Sequence, residues 1–219
     1  MSEPLFPLVA TSPLADLAVP GRLGRADGPA GLVLRERRGL ALATVIARAG
    51  VDRLGLDGLG LDGLDLPDTP RWVAAEGVTA VWAGPRQWLL LAEGGTAAGV
   101  APGFVPGLAR ALAGRASVAD QSDGRTVLRL AGPAARATLA KLAGIDLHPD
   151  VFRPGDVVLT RMAQLSVALW QVADDPVYDI ACFSTFAASL WHALVSAGAA
   201  AGIDVLAPAA AGETRSGLP

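Results

Sequence analysis

Cysteine occurs once in these 219 residues, at Cys182, and histidine twice, at His148 and His192. A single thiol excludes an internal disulfide. Two histidines far apart in the chain argue against a zinc site of the usual Cys/His kind. Lysine also occurs once: Lys141 stands against 17 arginines. A Schiff base or a phosphate-gripping lysine would have to use that residue, which falls where a solvent-facing helix position is expected. No apolar run approaches the ~18 residues that a membrane helix needs. The net charge is -3 and no basic patch is present, so nucleic acid has no electrostatic footprint here. Met1–Ala10 carries Glu3, Pro4 and Pro7 and lacks the basic start and apolar centre of a signal peptide. The expectation is a cytoplasmic protein with neither membrane nor nucleic-acid partners.

Apolar residues, by contrast, are abundant: 52% of the chain, with a mean hydropathy of +0.42. That surplus must enter a core or an interface. Residues 1–30 are dense in proline and read as an extended arm lying on its own domain or on a partner. Leu40 to Arg48 alternates with period two and reads as a strand. Val51 to Leu66 repeats L-D-G-L-x, and its glycines make a stable helix costly, so a frayed helix or an irregular loop is expected. Val78–Trp82 and Trp88–Ala92 form a hairpin about Gly84–Gln87. Phe104–Ala113 reads as a helix with Phe104, Leu108, Ala111 and Leu112 on one face and Gly114 as its cap.

A second run follows. Thr126–Leu130 is a strand, and Gly132–Pro133 opens a helix that Gly144 closes. In it Ala135, Leu139 and Leu142 face inward, while Arg136 need not. Val157–Met162, Leu165–Val172 and Tyr178–Phe183 are strands. Ser184 caps a helix with Phe186, Leu190, Trp191 and Leu194 on its buried stripe, ended by Gly198. Ile203–Leu206 is a last strand, and 207–219 reads as a disordered tail. Val78–Gly114 matches Leu165–Gly198 in order and length. The expected fold is therefore α+β, two tandem ferredoxin-like split β-α-β halves, 31–119 and 120–206, packed as a sandwich.

Chemistry-bearing residues concentrate in Asp120–Asp156. Asp120, Asp123 and Arg125 could recognise a basic group and an acid, or could simply make an Asx turn followed by a surface arginine. His148 could act as a base oriented by Asp146 or Asp150, or could fix a turn. Arg136 belongs to the same run. Trp82 and Trp88 are either core or anchors of a protein interface. Cys182 reads as core packing and His192 as a surface or edge position. Gly58–Gly63 has the letters of a dinucleotide fingerprint without the strand and helix that it requires. Asp57, Asp62 and Asp65 lack the spacing that wraps a calcium ion. Ser122 and Ser166 lack a nucleophile elbow. These residues alone present no catalytic constellation.

Asp120–Arg136 (D-Q-S-D-G-R-T-V-L-R-L-A-G-P-A-A-R) and Lys141–Gly155 (K-L-A-G-I-D-L-H-P-D-V-F-R-P-G) together resemble the gamma subunit of heterotetrameric sarcosine oxidase. The hairpin W-A-G-P-R-Q-W-L-L (Trp82–Leu90) and the segment F-A-A-S-L-W-H-A-L (Phe186–Leu194) fit the same family. The resemblance covers roughly residues 31–206. It implies an aminomethyltransferase-like sandwich and a small, non-catalytic subunit with alpha, beta and delta chains as partners. It also implies oxidative demethylation of sarcosine to glycine, with O2 reduced to hydrogen peroxide and the methyl carbon passed to tetrahydrofolate. FAD, FMN, NAD and tetrahydrofolate are then expected in the alpha and beta chains and zinc in delta, with no cofactor held here. The chain is much shorter than the transferases and lacks the K-G-C-Y-x-G-Q motif of the related iron–sulfur-repair proteins, so no folate-binding residue is implied. Two alternatives stay open: a stand-alone folate-binding one-carbon-transfer protein using Asp120 and Arg125, and a subunit of a related N-methyl amino acid dehydrogenase. A third is an interaction protein outside metabolism.

Overall fold

The computed structural model describes residues 11–51, 54–56, 61, 64–75, 77–94 and 103–208. The fold is α+β and is built on two sheets. Strands β3 (Leu40–Ala47), β4 (Trp72–Ala75), β5 (Val78–Gly84), β6 (Gln87–Glu93) and β7 (Ala116–Asp120) form the smaller, antiparallel sheet in the order β4-β5-β6-β3-β7. The larger sheet contains β1 (Gly21–Leu23), β2 (Leu32–Arg37), β8 (Arg125–Ala131), β9 (Val157–Met162), β10 (Leu165–Ala173), β11 (Val177–Phe183) and β12 (Ile203–Val205). Its order is β1-β12-β2-β8-β11-β10-β9. Three helices complete the described chain: α1 (Phe104–Ala111), α2 (Ala135–Ala140) and α3 (Ala187–Gly198).

The sheets stack face to face, and each carries its other face on a separate core. Leu42, Leu89 and Leu91 meet Val127, Trp170 and Ala181 between the sheets. The outer face of the smaller sheet packs Ala43, Trp88 and Leu90 under Leu108 and Leu112. The outer face of the larger sheet packs Leu128, Leu130 and Ile180 under Leu139, Leu190 and Leu194. Strands buried on both faces need no polar alternation, because successive side chains enter different cores. That is why W-L-L-L-A reads as one apolar run: Leu89 and Leu91 point between the sheets and Leu90 points outward.

The internal likeness holds with one rearrangement. The order β5-β6-β3-β7 in the smaller sheet is that of a split β-α-β unit, and β10-β11-β8-β2 repeats it in the larger. The fourth place of the second half is therefore taken by β2, from the chain's beginning. The expected closing strand β12 lies one place further out, parallel to β2. In the first half no helix forms over the described part of 51–66. Leu54, Leu56, Leu61 and Leu64 nevertheless reach the core, so irregular backbone supplies the apolar face that a helix would have supplied. The fingerprint glycines Gly58, Gly60 and Gly63, and Asp57 and Asp62, lie outside the described residues, as do residues 1–10 and 209–219.

The described part of the proline-rich start packs on its own domain. Leu14 is completely buried in the core of the larger sheet. The Ser12 hydroxyl lies 2.6 and 2.7 Å from the two carboxylate oxygens of the buried Glu36, which also accepts from Arg38 Nε at 2.7 Å.

Details of all three helices differ from expectation. Val105, not Ala111, joins Leu108 and Leu112 on the buried side of α1. Ser184 opens a 3-10 turn before α3 and does not cap it; its hydroxyl donates to the Asp123 carbonyl at 2.8 Å, and Phe186 is exposed. Gly198 is the last residue of α3, with negative φ, and Gly202 (φ 74) makes the left-handed turn beyond. A Cβ on Gly198 would come within 2.5 Å of Leu32 Cδ1, so glycine there permits close approach to β2. Similarly, α2 ends at Ala140, short of Gly144.

Candidate functional site

The polar residues of 120–156 divide into turn-formers and side chains that point inward. Asp120 accepts the Ser122 N–H at 2.9 Å, and the Ser122 hydroxyl accepts the Leu42 N–H at 3.1 Å. Asp123 uses its carbonyl on Ser184. Asp146 accepts the His148 N–H at 2.8 Å, and His148 Nδ1 lies 3.5 Å from Asp150 on exposed side chains. The Asp120 and Asp146 bonds are local Asx turns that hold loops, while the Ser122 and Ser184 hydroxyls tie the 121–124 turn to β3 and to the segment after β11. Arg136 does turn inward. It donates to the carbonyls of Leu147 and Phe152 and lies 5.7 Å from the centre of the Tyr178 ring, pinning the 145–155 loop to α2 and β11. Trp88 is buried and donates to the Pro67 carbonyl at 2.8 Å; its cross-strand neighbour Trp82 is half-buried, with no partner for its indole N–H. Lys141 is exposed and donates to the Ala197 carbonyl, joining α2 to α3.

The chemistry that sequence reasoning passed over lies between the sheets. Along β8, Arg125, Val127 and Arg129 share one face, and it looks toward the smaller sheet. Arg129 stands opposite Asp179 on β11 and grips it with two bonds of 2.7 Å. Arg37 adds a third at 2.8 Å and reaches Glu93 of the smaller sheet at 2.8 Å. Asp179 is 1% exposed. Burial by itself would raise its carboxyl pKa, but the Arg37 and Arg129 guanidiniums more than reverse this and hold it below the ordinary range. The available signal was the lone acid inside V-Y-D-I-A-C-F, facing the arginines of R-T-V-L-R.

Arg125 meets a different neighbour on the same ladder. Opposite it stands Phe183, and the guanidinium lies 4.4 Å from the ring centre. Its buried Nε has no hydrogen-bond partner, and the side chain makes no ion pair among the described residues. Burial pulls the Arg125 pKa down from its ordinary value. In front of it a cavity of about 370 Å³ opens at the end of the sheet–sheet interface. Arg161 joins Arg125 in its wall, with Leu89, Leu159 and Phe183 as the apolar part and Thr44, Gln87 and Ser166 as the polar part. Among the described residues no carboxylate lines it. Asp120, weighed with Arg125 as a recognition pair, is not in this wall. A second hollow of about 400 Å³ lies by Arg71, Asp156 and Phe152, but there the cation is already paired with Asp156.

Cys182 lies on the other face of β11, inside the core of the larger sheet. Burial raises its thiol pKa to about 11, against a partial opposing pull from Arg125. Only the thiolate reacts with alkylating agents. The folded chain is therefore expected to resist iodoacetamide at pH 8 and to take up one equivalent in urea. Rapid labelling of the folded chain would contradict this placement.

Comparison with known proteins agrees with this fold. The family model described as "Sarcosine oxidase, gamma subunit family" matches residues 57–200. The chain is 37% identical over 106 residues to a sarcosine oxidase subunit gamma from Arthrobacter sp., and 35% over 109 residues to one from Corynebacterium sp. (strain P-1). Each alignment takes in 48% of this chain and 49% of the relative, so the chain spans about half the length of the curated relatives it matches. A chain in the structure of a heterotetrameric sarcosine oxidase from Corynebacterium sp. U-96 superposes with a TM-score of 0.70 at 28% identity, covering 88% of this chain and 97% of that one. The glycine cleavage system aminomethyltransferase T from Bartonella henselae shares the fold: TM-score 0.58, 17% identity, 85% of this chain and 57% of that chain. No helix among the described residues is long and apolar enough to cross a membrane. With two thirds of its length inside the family model and its described fold matched end to end by a chain of such an oxidase, this chain belongs to the sarcosine oxidase gamma subunit family.

Proposed function

We propose that the chain is a structural, non-catalytic subunit of a four-chain sarcosine oxidase in the cytoplasm, bound to alpha, beta and delta partners. The complex demethylates sarcosine oxidatively to glycine, reduces O2 to hydrogen peroxide and passes the methyl carbon to tetrahydrofolate. The flavins, NAD and folate sit in the alpha and beta chains and zinc in delta. The observation that carries this reading is the superposition on nearly the whole of one chain of a heterotetrameric sarcosine oxidase. The use of the Asp120 carboxylate on the Ser122 N–H and of the His148 ring nitrogen on the Asp150 N–H, both two residues away, supports the non-catalytic part.

Purification of the tagged chain from its native host tests the reading. Larger, flavin-containing chains are expected to co-elute, and the complex to produce peroxide with sarcosine. Recovery of the chain alone would overturn it. Turnover of another N-methyl amino acid in place of sarcosine would move the assignment to a related dehydrogenase.

A further inference from the structure

The geometry points to the cavity at Arg125 as a binding site for an organic acid: a carboxylate held by Arg125 and Arg161, with an apolar body against Leu89, Leu159 and Phe183. The argument begins with two rungs of one ladder. At the first, Arg129 faces Asp179 and its charge is answered inside the protein. At the second, four residues earlier on the same face, Arg125 faces Phe183, and nothing among the described residues answers its charge. A half-buried guanidinium without an anion has lost hydration and gained no partner, so it carries an unmet preference for one. The Phe183 ring holds it in place and leaves its remaining donors for a ligand.

The surroundings select the ligand class. Arg161 adds a second positive charge, which among the described residues donates to the nearby Gln164 carbonyl alone. Among the described residues the wall holds no acid, so there a cation would meet only repulsion. Guanidiniums bind carboxylates through planar, two-pronged hydrogen bonds, which suits a fixed arginine. The volume of about 370 Å³ lies within the range of small-molecule pockets, and its mixed wall, apolar with a few polar groups, is the kind that holds an amphipathic molecule. Ser166 and Gln87 supply further polar groups beside the arginines.

The test is calorimetry on the full chain with indole-3-acetate and with its neutral isostere indole-3-acetamide. The acid is expected to bind and the amide at least tenfold more weakly. Arg125→Met keeps the alkyl stem on Phe183 and removes the charge; it is expected to weaken the acid at least tenfold and leave the amide unchanged. Arg161→Gln, a second variant on the edge strand β9, is expected to weaken the acid severalfold and guards against a folding defect in the first. The Arg125-dependent signal should persist in the assembled complex. Equal binding of acid and amide, no effect of either variant, or loss of the signal on assembly would overturn the proposal. The last outcome would instead mark the cavity as covered by a partner chain. The results on the isolated chain do not depend on the oxidase reading, which stands or falls on co-purification; only the assembled-complex arm rests on it.

Discussion

Asp179→Ala is expected to lower the unfolding free energy by about 3–5 kcal/mol, the usual cost of removing one partner from a buried ionic cluster. Two arginines, Arg37 and Arg129, point at this one carboxylate, and both are nearly buried. Without it they keep their desolvation cost and lose their anion. The loss is a large share of the roughly 5–15 kcal/mol that holds a typical domain together. It also strikes a junction, because Arg37 continues to Glu93 and so links the larger sheet to the smaller one. Urea titration of the full chain measures it. Asp179→Asn preserves shape and should still lose most of the stability, because charge rather than volume is what the arginines require.

The same carboxylate carries a pH signature. Its folded pKa lies below the unfolded value of about 3.9, so its contribution is complete above that pH and fades as pH falls through the folded value. Stability of the parent chain should therefore decline steeply below about pH 4, and Asp179→Asn should flatten that part of the profile. An unchanged acid slope in the variant, or a stability loss under about 1 kcal/mol for Asp179→Ala, would refute the role given to the cluster.

Leu14→Ala is expected to cost about 2–5 kcal/mol, as for any fully buried leucine whose cavity the surroundings only partly fill. The residue lies in the proline-rich start of the chain, where a mobile arm would predict almost no effect. It is completely buried with Leu34 and Leu130 in the core of the larger sheet. Ser12 holds the same turn through Glu36. A midpoint in urea within error of the parent would show that this segment does not contribute to the core. Leu17→Ala, on the same turn but only partly buried, provides the graded comparison.

Local order was legible because it depends on neighbours in sequence. The β-branched and apolar runs at Val78–Trp82, Trp88–Ala92 and Tyr178–Phe183 are strands, and the hairpin turn between the first two falls as the Gly-Pro signal indicates. The likeness of the two halves was legible for the same reason, since each repeats hairpin, helix and glycine. The identity of the family followed from contiguous residues, Asp120–Arg136 and Lys141–Gly155. At the site, the turn reading of Asp120 and His148 needed only the acid–N–H spacing of two residues.

What sequence periodicity left open were the pairings between distant segments. Whether β2 or β12 stands beside β8 depends on competition between two strands about 170 residues apart, and nothing local records which one wins. Leu54 and Leu64 show a related limit: glycine spacing removed the helix, yet only the packed sheet beneath decided that the leucines are core. Arg125 and Arg129 are the sharpest case. In the chain they are the same residue type, on the same strand, with the same parity. Arg129 became part of a buried ion cluster and Arg125 the wall of a cavity with no acid among the described residues, because β11 sets Asp179 against Arg129 and Phe183 against Arg125. Composition and local pattern determined the fold class, most of the strands and the family, but not the strands β1, β2 and β4. Register across the sheet, which no residue encodes alone, decided where the charge is satisfied and where it is left for a ligand.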